Sequence, residues 1–155
     1  MTQTKATIAS KCADTGRACA CFNLRKATRM VTQIYDGALK PTGIRATQFM
    51  VLVAIGSAGP ISVNQLADRI VMDRTTLTRN LKPLDREGLI AVRPGYDLRV
   101  REVSLTAKGR KTLDRAYPLW ERVQARLRQK IGDSRVDRLL VDLQATVKGL
   151  QSSMA

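Results

Sequence analysis

Two helix-start signals stand eleven positions apart in the middle of this chain, and that spacing leaves little freedom for what lies between them. Ser62 comes just before the patterned stretch "VNQLADRI", with Gln65 three residues on. A hydroxyl and an amide so placed cap each other's backbone N–H groups at a helix start. Asp73 stands in the same way before "RTTLTRNLKPLDREGLI". The first helix therefore has room for about two turns before the chain must reverse and start again. Leu66, Ala67 and Ile70 face inward from the first helix. Leu77, Leu81 and Leu84 fall at i, i+4 and i+7 and share one side of the second. Two short helices joined by a tight turn have the spacing of a helix-turn-helix.

The flanking sequence reads as mainly helical. Residues 1–18 are small and polar with no clear period and are expected to form a flexible arm, leaving 19–155 as one domain. Leu24, Ala27, Val31, Ile34, Ala38 and Leu39 keep a helical rhythm until "KPTG" stops it. Thr47 is the expected cap of a fully buried helix, "QFMVLVAIGSAG". After Gly88, Pro94-Gly95 separates two short segments, the second alternating Val103 and Leu105 with polar residues, so a two-stranded hairpin is expected. Thr106 caps a long helix that continues across Pro118, with a kink expected there, to Gly132. A last helix from Ser134 to about Leu150 places Val136, Leu139, Leu140, Leu143, Val147 and Leu150 on one face. The end helices, 19–40 and 107–152, carry apolar faces beyond what a small central unit can cover. They are expected to pair two subunits.

The charge balance narrows the partners. Twenty-seven Lys and Arg against 13 Asp and Glu give +14, so a pair of chains carries +28 and attracts polyanions. From Arg74 to Lys111 the count is ten basic to four acidic, a local excess of +6. The absence of histidine removes the commonest general base and transition-metal ligand. With no glycine-rich phosphate loop, no cluster of metal-ligand spacing and no nucleophile–base pair, neither catalysis nor a cofactor nor a metal is expected. Three cysteines are too few for a disulfide framework, and no apolar run reaches signal-peptide or membrane-spanning length, so a cytoplasmic protein is expected.

On the second short helix, Thr75, Arg79, Lys82 and Arg86 lie opposite the leucines. In a helix-turn-helix this helix enters the major groove of DNA with its N-terminal side chains at the base edges. Thr75, Thr76 and Thr78 offer short hydroxyls, and Arg79 can fork onto guanine. Lys82 and Arg86 are better placed to neutralise phosphates. Pro83 leaves the Arg79 carbonyl without its helical partner, and a bend that helps the helix follow the groove is expected.

The strings "GPISVNQLA", "TTLTRNLKPLDREGLI", "DLR" and "SLTAKG", in this order, resemble the multiple antibiotic resistance regulator (MarR) family of bacterial winged-helix transcription factors. The resemblance runs through nearly all of the chain after Cys19. It implies a winged helix-turn-helix over about 44–109 with a two-stranded β wing, flanked by N- and C-terminal dimerisation helices. It also implies a homodimeric repressor on pseudo-palindromic double-stranded DNA, with the wing against the minor groove. The residues expected to contact DNA are Ser62, Asn64, Arg74, Thr75, Thr76, Thr78, Arg79, Lys82, Asp97, Arg99 and Arg101. Asp97 is expected to orient the Arg99 guanidinium. Leu98 stands where many relatives have a second basic residue.

Many members of the family release DNA on binding a small aromatic or phenolic acid. Arg17, Arg25 and Arg29 could meet an anion near the first helix, although basic residues there are more often plain surface. The "CF" at Cys21 and Tyr35 further on are similar to the family's organic-hydroperoxide sensors, but Arg25 stands where those carry a second tyrosine. A buried structural role for Cys21 is the expectation. Sensing of oxidant through Cys12, Cys19 or Cys21 stays open as the alternative, as does a basic winged-helix module that binds RNA or protein without reading sequence.

Overall fold

The computed structural model describes residues 7–97 and 99–152. Leu98 and the chain ends at 1–6 and 153–155 lie outside the described residues. In chain order the helices are α1 (Ile8–Ala18), α2 (Ala20–Leu39), α3 (Ala46–Ala58), α4 (Val63–Arg69), α5 (Arg74–Arg86), α6 (Ala107–Ile131) and α7 (Asp133–Ser152). The strands are β1 (Ile61–Ser62), β2 (Ile90–Pro94) and β3 (Arg101–Leu105). None of the described helices is long and apolar enough to cross a membrane.

The two capping signals act as their chemistry requires. Ser62 Oγ accepts from the Gln65 amide at 3.2 Å while Gln65 Oε1 accepts from the Ser62 amide at 3.3 Å. Asp73 Oδ1 accepts from the Thr76 amide at 2.8 Å. Thr76 hydrogen bonds, its side chain first, hold the Asp73 carboxyl below its ordinary pKa. A depressed carboxyl contributes its stability above the unfolded pKa and loses it as pH falls through the folded one, so this cap is intact at neutral pH and fails in acid. Leu66, Leu77 and Leu84 are fully buried and weld α4 and α5 to Leu52 and Ile55 of α3 and to Val103 of β3. Helix α5 runs unbroken across Pro83, which sits in its last turn.

Between α4 and α5 the chain reverses through Val71, at φ 52° the one positive φ outside glycine among the described residues. A β-branched side chain there crowds its own backbone, at a cost of about 1–2 kcal/mol. Because Val71 is 59% exposed, it gains little burial in return. Val71→Gly should therefore raise stability by about 0.5–1 kcal/mol, after subtracting the extra entropy glycine gives the unfolded chain. Thermal denaturation should show a Tm higher by about 1–4 °C for a chain of this size. A fall would mean that the valine makes a contact worth more than its strain.

Four sequence expectations need correction. Residues 8–18 form α1, with Thr7 Oγ1 accepting from the Ser10 amide at 3.3 Å, where an unpatterned arm was expected. Local capping and alanine content supply that helix, since it buries no residue. Helix α3 starts at Ala46, not after Thr47: the Ala46 amide donates to Asp36 Oδ1 at 2.7 Å and the Arg45 amide to Gln48 Oε1 at 2.9 Å. Its cap comes from α2, ten residues back, where a local reading does not look. It is not fully buried either, because Met50 is 67% exposed.

The hairpin, finally, is part of a three-stranded antiparallel sheet in the order β1-β3-β2. Ile61 pairs with Val103, and β2 pairs with β3 from Ile90–Leu105 to Pro94–Arg101. A strand of two residues leaves no alternation to read.

Helix α6 packs on α2, α3 and α7. Arg128 near its end binds Asp137 at 2.8 Å and Asp133 at 3.5 Å, which ties the α6–α7 turn. The apolar face expected on the last helix exists, yet only Val136 of α7 is buried. Leu139, Leu140, Val147 and Leu150 remain open, as do Phe22, Met30, Val31 and Ile34 on α2. A helix patterned for burial that finds no cover within its own chain marks a surface for something else.

Candidate nucleic-acid interface

Helix α5 meets solvent along the side opposite its leucines. At about 100° per residue, Arg79 lies about 200° round from Leu77, and Thr75 and Arg86 flank that outermost line. All three are exposed. Thr78 is exposed as well, and its hydroxyl donates to the Arg74 carbonyl at 2.8 Å, which leaves the oxygen lone pairs outward. Thr76 differs: it is half-buried, and its amide and side chain serve the Asp73 cap.

A groove of about 450 Å³ runs between α5, the start of α4 and the wing. Ser62, Asn64, Arg74, Thr78, Lys82, Arg99 and Arg101 line it. Seven of the eleven expected contact residues, from the start of α4, from α5 and from the wing, thus share one concave surface; four are basic and two carry hydroxyls. Thr75 and Arg79 lie outside it on the outer edge of α5, and Thr76 and Asp97 do not line it. The rest of the lining is Leu81, expected on the leucine side of α5, and Val63, Asp85, Val92 and Val100, which were not foreseen. Nor was Tyr96, fully exposed at the wing tip, where the turn signal of Pro94-Gly95 drew attention away from the aromatic ring.

The wing tip corrects one expectation about chemistry. Asp97 Oδ1 accepts from the backbone amide of Arg99 at 2.9 Å, and the Val100 amide donates to the Asp97 carbonyl at 2.8 Å. The Gly95 amide in turn donates to the Val100 carbonyl at 2.8 Å. Asp97 therefore builds the turn that presents Arg99, whereas the sequence suggested a carboxylate aligned with the guanidinium. An aspartate two residues before an open amide makes this turn with its own backbone, and the local bond wins.

The wing is anchored at its base. Thr106 Oγ1 donates to the Gly88 carbonyl at 2.7 Å and accepts from the Gly109 amide at 3.0 Å. Lys108 Nζ donates to the Glu87 carbonyl at 2.7 Å. The end of α5, the start of β2 and the start of α6 are thereby locked together.

A second cavity, about 430 Å³, opens between α2, α3, α6 and α7. Its lining is apolar, with Leu24, Val31, Phe49, Met50, Trp120 and Leu143, and its polar groups are Thr28, Thr32, Tyr35 and Gln124. Burial raises the Tyr35 hydroxyl pKa, so the phenol stays protonated. Arg17, Arg25 and Arg29 do not line this cavity. Arg17 pairs with Asp14 at 2.6 Å on the surface, and Arg29 Nε donates to the Arg25 carbonyl at 3.4 Å.

Cys21 is exposed, against the expectation of a buried structural thiol. The helix face that would bury it has no cover within the chain. Cys12 is exposed too, and Cys19 caps α2, its Sγ accepting from the Phe22 amide at 3.5 Å. Among the described residues no group of His, Cys, Asp or Glu could hold a metal ion.

Residues 42–99 match the profile of the family described as MarR family. SarZ, an HTH-type transcriptional regulator of Staphylococcus epidermidis, is 31% identical over 91 residues, covering 58% of this chain and 62% of SarZ. This chain thus spans under two thirds of the length of that relative. Transcriptional regulator MosR of M. tuberculosis, solved in complex with DNA, is 44% identical, with 84% of this chain and 97% of MosR covered and a TM-score of 0.74. The transcriptional repressor CouR, bound to a 23-mer DNA duplex, is 25% identical, with 86% and 95% covered and a TM-score of 0.78.

Proposed function

The chain belongs to the MarR family, and from that premise we propose that it is a sequence-specific regulator of transcription, a homodimeric repressor on double-stranded DNA that a small ligand releases. The observation that carries the reading is the convergence of Ser62, Asn64, Arg74, Thr78, Lys82, Arg99 and Arg101 on one groove, beside the outward edge of Thr75 and Arg79. A major-groove helix and a wing need this adjacency, because one binds base edges while the other follows the neighbouring backbone. MosR and CouR, both solved with DNA, support the same use of the fold. Thr76 contributes through the cap of the reading helix and Asp97 through the wing turn.

Two-fold pairing is supported by the open apolar faces of α2 and α7, which a second copy would cover. The ligand's place is the 430 Å³ cavity, whose walls come from the same helices and from α3 of the reading unit. Ligand binding there would alter the angle between the two reading heads.

Selection from random duplexes with the purified protein, followed by titration at several salt concentrations, tests the reading. A recovered pseudo-palindrome bound at least a thousandfold more tightly than scrambled duplex is expected. Equal affinity for every duplex, with steep salt dependence alone, would replace it by a module that binds nucleic acid without reading sequence.

The wing turn gives a sharper prediction. Asp97→Asn keeps an oxygen acceptor for the Arg99 amide and should retain operator affinity within about threefold, whereas Asp97→Ala loses a hydrogen bond worth about 0.5–1.5 kcal/mol per wing. The alanine variant should bind roughly 5- to 100-fold more weakly as a dimer. Equal losses in both variants would point to the carboxylate charge instead.

One observation favours a second reading, regulation by oxidant. Cys21 is exposed in the first turn of α2, open to a peroxide in solution. Its thiolate would attack the peroxide O–O bond, keeping one oxygen as a sulfenic acid and expelling the other as alcohol or water. Operator affinity should then fall on adding peroxide to the native protein and not in Cys21→Ser. Equal behaviour of the two proteins removes this reading.

A further inference from the structure

The cavity between α2, α3, α6 and α7 differs from the seat an aromatic acid needs in one respect that the residues around it make plain. Every residue that this chain contributes to its lining is uncharged. The natural place for a ligand carboxylate in such a cavity is the N-terminus of α3, whose free amides carry partial positive charge and whose first residue, Ala46, forms part of the wall. That place is taken. Asp36 Oδ1 accepts from the Ala46 amide at 2.7 Å, so the chain supplies its own carboxylate at the first amide of the helix, the one whose residue lines the cavity.

A second anion brought to the same helix end would meet Asp36 at short range in a half-buried setting, where like charges repel far more strongly than in water. No guanidinium joins the wall to offset it: Arg17, Arg25 and Arg29 do not line the cavity, and neither does Arg45, the N-cap residue of α3. What remains is an apolar slot edged by Trp120 and Phe49 with four neutral hydrogen-bonding groups, Thr28, Thr32, Tyr35 and Gln124. The Tyr35 phenol, kept protonated by burial, donates.

We propose that this cavity selects uncharged, flat, hydrogen-bonding molecules over the corresponding carboxylates, and that Asp36, by occupying the start of α3, is the residue that sets this preference. The proposal rests on the ligand-release reading for its biological meaning, but its test does not, because it is read without DNA. Trp120 is the only tryptophan of the chain and lines the cavity, so its fluorescence reports occupancy directly.

The probes are 4-nitrobenzamide and 4-nitrobenzoate, nearly equal in shape and different in charge, both quenchers of indole emission. With the native full chain, the amide should quench saturably with a Kd at least tenfold below that of the carboxylate. Asp36→Asn, which keeps an oxygen acceptor for the Ala46 amide, should narrow the ratio to threefold or less. Gln124→Lys, which puts a cation in the wall, should invert it and places the probes in the cavity, while Asp36→Ser, also neutral, keeps the question decidable if Asp36→Asn does not fold.

A carboxylate bound as tightly as the amide by the native protein overturns the proposal, as does a ratio left unchanged in a folded Asp36 variant or saturable quenching by neither probe. If the ratio behaves as expected and neither probe changes DNA affinity, the selectivity stands and the ligand-release reading fails.

Discussion

Gly109→Ala should unfold the reading unit or come close to it, with a loss of about 3–5 kcal/mol, above the roughly 1–3 kcal/mol typical of an overfilled core. Gly109 is the third residue of α6 and is buried. A Cβ placed there would overlap the carbonyl oxygen of Leu89 and touch the Leu105 side chain. The obstacle is backbone and cannot rotate away. Nor can the Leu89 carbonyl move freely, since it accepts from the Thr106 amide at 3.1 Å and from Thr106 Oγ1 at 3.2 Å. Relief requires α6 to retreat from the start of β2, which breaks the Thr106 bonds that anchor the wing. For a chain of this length the loss corresponds to a Tm lower by roughly 6–20 °C. Gly37→Ala on α2 is the matched control: a Cβ there meets nothing within 4 Å in the chain, so better helix propensity should leave Tm unchanged or slightly higher. Similar effects at both positions would mean that the close approach at Gly109 does not exist in solution.

The contrast between these two glycines explains what the sequence could disclose. Ser62 with Gln65, and Asp73 with Thr76, act within four residues, and the periodic leucines of α5 act within one helix, so the reading unit was visible in the string itself. The Asp36 cap of α3 and the Gly109 contact with Leu89 join segments ten and twenty residues apart, and nothing local distinguishes Asp36 from a solvated acid or Gly109 from a weak helix position. Strand β1 was too short to show a period. Where helix geometry decides, periodicity was enough: Arg79 is exposed on the side of α5 opposite Leu77. At the wing tip the nearest free amide decided, and Asp97 turned to the backbone. The apolar faces of α2 and α7 were legible as faces but not as contacts, because nothing among the described residues covers them.

Under the proposed two-fold pairing, a substitution on α5 acts twice on one operator. Arg79→Ala is expected to produce the largest loss of operator affinity available to one replacement outside the core. A forked guanidinium on guanine contributes about 1–3 kcal/mol of discrimination, and in a two-fold dimer each replacement occurs twice, giving about 2–6 kcal/mol, or roughly 30- to 10⁴-fold. Stability should not follow, because Arg79 is exposed on the edge of α5 farthest from Leu77, where substitutions stay within about 0.5 kcal/mol. Arg79→Lys separates reading from attraction: it keeps the charge and loses the fork, so the affinity for the selected operator should fall while the slope of log affinity against log salt holds. Lys82→Ala should do the reverse, weakening all duplexes alike and reducing the slope by about one unit for each phosphate released. Duplex titrations of the three variants at four salt concentrations decide the matter. If Arg79→Lys binds the operator as well as the native protein does, Arg79 meets phosphate and the base reading must come from Thr75 and Thr78.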